Sequence, residues 1–96
     1  MPKPPDPSAR PPRRGTVLDF EAVRAATEAA IRDARVTQEE AARLVAERVE
    51  GRDAPPTKAA VSNAVRTAGP SVVVLQADIL LALTGARLDG PLYRVA

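Results

Sequence analysis

Prolines, glycines and helix-capping residues divide this chain into short segments, and this division constrains the fold more than any other feature. Six of the ten prolines lie between Pro2 and Pro12, so a packed domain begins only beyond them. The paired prolines of "RDAPP" and the dipeptide Gly69-Pro70 each stop a helix, because proline lacks the amide donor that a helix interior needs. The remaining segments predict an all-α domain at residues 16–96, a small bundle of four to five helices.

Each predicted helix begins at a residue type that caps helix N-termini. Asp19 precedes the first helix and Thr37 precedes the second. Glu40 lies three residues after Thr37, which is the spacing of a capping box. Thr57 is the predicted cap of the third helix, and Ser71 is the predicted cap of the fourth.

The fourth predicted helix, "VVVLQADILLALTG", is apolar over most of its circumference and ends at Gly85. A helix that is apolar on all sides has to be buried on all sides, and in so small a domain the simplest second cover is another subunit. The sequence therefore predicts a homodimer. The candidate interface residues, on this helix and in the C-terminal segment, are Val73, Leu80, Leu81, Leu92 and Tyr93.

The C-terminal segment, "ARLDGPLYRVA", differs in character from the helices before it. Asp89-Gly90 is a turn signal, and "PLYRV" resembles a short strand. We expect a short extended segment or a hairpin here, paired either within one subunit or across the dimer.

The residue types that are absent exclude several kinds of site. The chain has no cysteine and no histidine, which rules out disulfides, thiolate nucleophiles and zinc sites built on those residues. Glu39 and Glu40 are adjacent and cannot share one face of a helix, and the glycines are isolated rather than grouped in a phosphate-binding loop. We therefore expect no enzyme, no catalytic residue, no metal, no cofactor and no small-molecule ligand. No apolar run is long enough to span a bilayer, and we expect a cytoplasmic protein.

Charge is distributed unevenly along the chain, whose net charge is +2. Residues 1–15 carry four basic residues and one acid, and they are predicted to form a disordered Pro/Arg-rich arm. Arg10, Arg13 and Arg14 are candidates for nonspecific DNA contacts, since basic arms of this kind touch phosphates or enter a minor groove. A solvated tail without a specific role is the alternative.

The third helix, in "PTKAAVSNAV", has an outer face of small and hydrogen-bonding residues without any acid. Asn63 can pair with adenine, Lys58 can reach guanine or a phosphate, and Ala59 can touch a thymine methyl. Ser62 and Arg66 are better suited to phosphates, which position a protein without specifying sequence. A capped, solvated surface helix would show the same residues, and that reading is the alternative.

Two consecutive capped helices, "VTQEEAARLV" and "TKAAVSNAV", resemble the helix-turn-helix of the Cro and phage-repressor class over residues 36–66. The pair is also similar to the motif of plasmid partition and plasmid regulatory proteins. The resemblance implies that Gln38 anchors a phosphate, Ala42 lies where the two helices cross, and Val61 seats the recognition helix. The DNA-contacting residues that follow from the motif and from the outer face are Gln38, Thr57, Lys58, Ala59, Ser62, Asn63 and Arg66.

Two features differ from the family pattern. The segment "AERVEGRDAPP" stands where the family has a turn of a few residues, and Ala41 replaces an apolar leucine. On the assumption that the second helix continues to about Glu50, with Gly51 as its stop, the loop can turn back and retain the docking geometry.

These patterns favour a sequence-specific, double-stranded DNA-binding protein, a homodimeric and repressor-like transcriptional regulator that reads the major groove with the helix at 57–67. The alternative is a small helical protein-interaction module, such as an antitoxin-like partner, an adaptor or a phage assembly component, that uses the apolar helix at 72–84. Salt distinguishes the two, because phosphate contacts weaken steeply as salt rises and apolar protein contacts do not.

Overall fold

Four helices and one short strand pair make up the described part of the chain. This computed structural model describes residues 18–52, 54–89 and 94–95. The elements, in chain order, are α1 (Phe20–Ala34), α2 (Gln38–Arg48), α3 (Lys58–Arg66), α4 (Val73–Thr84), β1 (Leu88–Asp89) and β2 (Arg94–Val95). The prediction of a small helical bundle is confirmed for this part of the chain.

The two short strands lie after the last helix and pair with each other in antiparallel fashion. Leu88 is opposite Val95, and Asp89 is opposite Arg94. The pairing is therefore within one subunit, which is one of the two arrangements that the sequence left open. The predicted turn at Asp89-Gly90 is described only up to Asp89, and residues 90–93 lie outside the described residues.

Side-chain caps start the first three helices at the predicted residues. The Asp19 carboxylate accepts the amide hydrogen three residues on, at 2.7 Å. Thr37 and Glu40 form the complete capping box, with bonds of 3.0 and 3.3 Å between each side chain and the other residue's amide. The Thr57 hydroxyl accepts from the Ala60 amide at 3.0 Å. Each cap satisfies a backbone donor that has no partner inside its helix, which stabilises the helix by about 1 kcal/mol.

The start of α4 differs from the prediction. Ser71 is not its cap: the N-cap residue is Val72, and no side-chain hydrogen bond caps this helix. A turn at residues 70–72 leads into α4, in which the Val72 amide bonds to the Gly69 carbonyl at 3.4 Å. Val72 and Val73 are both buried, so apolar packing rather than a polar cap fixes where α4 begins.

The second helix is also shorter than predicted. It ends at Arg48, with Val49 in an extended conformation as its C-cap, and Gly51 lies beyond it in the loop with φ +90°. The reason is tertiary. Arg48 donates to the Ala82 carbonyl at 2.8 Å, and Arg52 pairs with Asp78, so the chain leaves the helix early to follow α4.

The core is organised around α4, which packs against α1, α2 and α3. Its buried residues occupy about half of the helix circumference and are Val73, Gln76, Ile79, Leu80, Ala82 and Leu83. Val23 of α1, Val45 of α2 and Val61 of α3 are completely buried in the same core. Three neighbouring helices thus cover one side of α4, and Val74 and Leu81 on the other side are not buried.

This packing corrects the predicted dimer interface. Val73 is 3% exposed and Leu80 is 1% exposed within the single chain, so neither is accessible to a second subunit. For these two residues, helices of the same chain provide the cover that the sequence analysis assigned to a second subunit. Leu81 is half-buried, and Val74 is 68% exposed. Leu92 and Tyr93 lie outside the described residues.

The described ranges contain neither a membrane-spanning helix nor an acidic cluster for a metal ion. No helix among residues 18–52 and 54–89 has the length and apolarity that a bilayer span requires. The same ranges hold no group of three or more Asp or Glu side chains placed to bind a metal ion.

Replacing Leu80 by alanine tests whether this residue belongs to the core. We expect Leu80→Ala to lower the free energy of unfolding by about 2–5 kcal/mol, because it leaves a cavity beside α4. Urea denaturation followed by circular dichroism measures the change. A surface control, Arg32→Ala in α1, should change stability by only about 0.5 kcal/mol. If Leu80→Ala left the free energy of unfolding unchanged and converted a dimer into a monomer, Leu80 would belong to the dimer interface and not to the core.

Candidate nucleic-acid interface

One face of α3 is buried in the bundle and the opposite face is open. Val61 and Ala64 are completely buried, and they hold the helix against its neighbours. The predicted contact residues share the opposite face. Lys58, Ala59, Asn63 and Arg66 are exposed, and Ser62 is half-buried. The structure therefore brings these five predicted residues together on one surface.

The N-terminal end of this face carries no negative charge of its own. The first turn of α3 has no acidic residue, and it begins with Lys58. The Thr57 hydroxyl is used in capping, as an acceptor, and retains its own hydrogen for donation. The first amides of a helix lack intrahelical acceptors, and together with the helix dipole they favour an anion at this end.

Asn63 is oriented by a neighbour that sequence reasoning missed. Its Oδ1 atom accepts a hydrogen bond from the Thr67 hydroxyl at 3.0 Å. The spacing of four residues places both on one helix face, and this signal was present in the sequence. The amide N–H groups of Asn63 take no part in this bond. Arg66 lies one turn along, and its Nε donates to the Ser62 carbonyl at 3.3 Å.

The two helices of the predicted motif are neighbours in space. α2 packs against α3 across the loop that joins them. Gln38 is the first residue of α2 and is half-buried, and Ala42 is buried where a small residue was expected. A cleft of about 560 Å³ opens along this junction. Its lining residues are Glu39, Glu40, Ala42, Arg43, Pro55, Pro56 and Lys58.

The cleft contains negative charge that a count of charges along the sequence does not place near α3. No acid lies between residues 54 and 76, yet the fold brings Glu39 and Glu40 of α2 to the same cleft as Lys58 of α3. Glu40 is occupied by its capping box with Thr37. The cleft thus combines two acidic with two basic residues, and Lys58 at the start of the outer face of α3 is one of them.

The long loop between α2 and α3 is fixed to α4 rather than free. The guanidinium of Arg52 donates from Nε and Nη2 to one carboxylate oxygen of Asp78, at 3.0 and 2.6 Å. Both side chains are largely buried, with 30% and 21% of their surface exposed. This ion pair joins residues 26 positions apart, so no local pattern in the sequence indicated it.

The C-terminal end of α3 is held from α1 by Arg24. Its Nη1 donates to the Val65 carbonyl at 2.9 Å, while Nε and Nη2 reach the Glu21 carboxylate at 2.7 Å. The hydrogen bond from Arg24 lowers the pKa of the Glu21 carboxyl below its usual value. The same bond is the main reason why the pKa of Arg24 rises above its usual value. Arg24 therefore remains charged while it contacts α3.

The assembled face presents hydrogen-bond donors, acceptors and positive charge, the chemistry of contacts to base edges and phosphates. The arm residues Arg10, Arg13 and Arg14 lie outside the described residues. No protein-family model, curated protein or solved structure matches the chain.

Removing the cap of α3 should weaken this helix specifically. We expect Thr57→Ala to lower the free energy of unfolding by about 1 kcal/mol, because the Ala60 amide loses its acceptor. Urea denaturation measures the loss. Ser71→Ala is the matched control, since Ser71 makes no capping bond to α4, and it should change stability by about 0.5 kcal/mol or less. Equal losses in the two variants would contradict a capping role for Thr57.

Proposed function

We propose that this protein binds double-stranded DNA sequence-specifically, as a homodimeric, repressor-like transcriptional regulator that reads the major groove with α3. One observation carries the proposal: the outer face of α3 is open and free of acidic residues, with short side chains at its centre between Lys58 and Arg66. A major groove admits one helix, and short side chains allow close approach to the base edges. We expect this activity in the cytoplasm.

The proposed docking inserts the N-terminal end of α3 into the groove, as recognition helices do. Lys58 reaches a guanine edge or a phosphate, and Ala59 contacts a thymine methyl group. Asn63 pairs with adenine through its amide group. Support for a defined orientation of Asn63 comes from its bond to Thr67, which limits the rotation of the side chain.

Contacts to phosphates position α3 in this proposal. Gln38 at the start of α2 holds one phosphate, and Thr57, Ser62 and Arg66 face the backbone on either side of the groove. The basic arm at residues 1–15 adds affinity without sequence preference. Glu39 repels phosphates near α2, so the contact is centred on α3.

The helix-turn-helix geometry is proposed to persist despite the long loop. Its support is that α2 and α3 pack against each other, with Ala42 buried and Val61 buried in the core. The Arg52–Asp78 ion pair anchors the loop on α4. Because the loop is anchored there, α3 keeps a defined place although the loop is long.

Selection of bound sequences from a random duplex pool tests the proposed reader. We expect the full chain to enrich a pseudo-palindromic consensus, and Asn63→Ala to lose about 1–3 kcal/mol of discrimination at one base position in each half-site. Arg32→Ala is the control, because it removes an exposed positive charge from α1 and leaves α3 unchanged. The control should retain the full consensus. Enrichment without any consensus would assign the binding to the basic arm alone.

A second copy of the chain is the proposed partner, and α4 retains a narrow apolar surface for it. Val74 is 68% exposed, and Leu81 lies seven residues on, along the same side of the helix. Leu92 and Tyr93 remain proposed members of this interface. Since most other apolar residues of α4 are buried, the alternative interaction module would have only this same surface of the helix available.

A single substitution tests the homodimer. We expect Leu81→Glu to give a folded monomer, because a carboxylate on a half-buried site tolerates solvent but not an apolar interface. Sedimentation equilibrium measures the mass, and circular dichroism checks the fold. Arg87→Glu, which places the same charge on an exposed residue beyond α4, should leave the mass of a dimer unchanged. A wild-type protein that is monomeric at micromolar concentration would contradict the proposal.

A further inference from the structure

Gln76 of α4 is completely buried and makes two hydrogen bonds to α3 and the residue that follows it. Its Nε2 donates to the Ala64 carbonyl at 2.7 Å and to the Thr67 carbonyl at 2.8 Å. Both partners are carbonyl oxygens and cannot donate, so the amide nitrogen has to be the atom that faces them. The two donors of this side chain are therefore both used at one end of α3.

The carbonyls that Gln76 contacts lie at the C-terminal end of α3. The last four carbonyls of a helix have no amide donor within the helix, so they need hydrogen-bond donors from elsewhere. Arg24 of α1 supplies a third bond nearby, to the Val65 carbonyl at 2.9 Å. Side chains from two different helices thus hold this end of α3 by three hydrogen bonds.

Apolar packing alone holds α3 weakly in one orientation. The helix has nine residues, of which Val61 and Ala64 are buried and Val65 packs partly exposed against the core. Side chains this small leave few contacts that change when the helix rotates about its axis or tilts. Hydrogen bonds are directional, and they weaken steeply when the donor angle falls. The three bonds at the C-terminal end therefore define the rotation and tilt of α3 more sharply than its apolar face does.

The other end of the Gln76 amide indicates that this residue is not simply a filler of the core. Its Oε1 atom is buried and has no hydrogen-bond partner in the part of the chain that the structure describes. An orphaned buried acceptor opposes folding, and an apolar side chain of the same length would avoid this cost. What an apolar side chain cannot supply is the pair of donors to α3.

We propose that Gln76, with Arg24, is a positioning residue that fixes the orientation of α3 and so determines which side chains it presents to the groove. Its effect on DNA discrimination rests on the proposed function, whereas its effect on α3 itself does not. Gln76 touches no DNA in this proposal. It acts through the carbonyls of Ala64 and Thr67, and the Thr67 hydroxyl in turn contacts Asn63.

Native-state hydrogen exchange of Gln76→Met tests the structural part. Methionine has about the same length and lacks both donors, so we expect the α3 amides to lose at least tenfold more protection than the α1 amides. Leu80→Met is the matched control, a substitution of similar volume at an equally buried site of α4 that makes no side-chain hydrogen bond. Equal loss of protection in α3 and α1 in both variants would overturn the proposal.

A second pair of variants keeps the test decisive if Gln76→Met does not fold. Arg24→Met removes the bond to Val65 together with the ion pairs to Glu21 and Glu28, whereas the double variant Glu21→Gln, Glu28→Gln removes the ion pairs and keeps Arg24. We expect selective loss of α3 protection in Arg24→Met and none in the double variant. The same exchange pattern in both variants would show that the bond to Val65 does not hold α3.

DNA binding by the same Gln76→Met protein tests the functional part. We expect the ratio of affinities for a selected site and for random duplex to fall about tenfold, which matches the loss of one good base contact. Affinity for random duplex and its salt dependence should be unchanged, because the phosphate-binding residues remain. A loosened α3 with an unchanged ratio would overturn the link to discrimination. A wild-type protein that selects no sequence would end the proposed function, and hydrogen exchange would still decide the positioning role.

Discussion

The burial of α4 by the other three helices is the interaction on which the rest of the structure depends. α4 is apolar around most of its circumference, and α1, α2 and α3 each pack against it. Completely buried residues such as Ile79 and Val45 meet in one core, so removal of any of these helices would expose apolar surface. The loop between α2 and α3 is long, and it still follows a defined path because Arg52 pairs with Asp78 on α4.

A second level of organisation is polar and acts at helix ends. Arg24, Arg48 and Gln76 each donate to a backbone carbonyl of another helix or of its C-cap, at 2.7–2.9 Å. Such carbonyls lack partners within their own helix, and the positive charge of arginine also suits the negative end of the helix dipole. Apolar burial brings the helices together, whereas these bonds define how each one is rotated. The distinction matters most for α3, whose buried side chains are small.

Much of the candidate site was predictable because it is local. Three caps were placed correctly from residue type and spacing, and the outer face of α3 follows from helical periodicity. The predictions failed where distant parts of the chain meet. Ser71 was taken as a cap because serine often is one, but buried valines set the start of α4. Glu39 lies near Lys58 only because α2 packs on α3, which no charge count along the chain can reveal.

The sequence by itself determined that the described residues form a small helical bundle, where three of the four helices start, and which residues α3 turns outward. Capping, periodicity and helix breaking depend on residues within a few positions of each other, and a linear reading contains that information. Only the tertiary structure decided that Val73 and Leu80 are core, and that Gln76 and Arg24 hold α3. An apolar helix has the same sequence pattern whether it is buried by its own chain or by another. The choice depends on how three separate helices enclose a fourth.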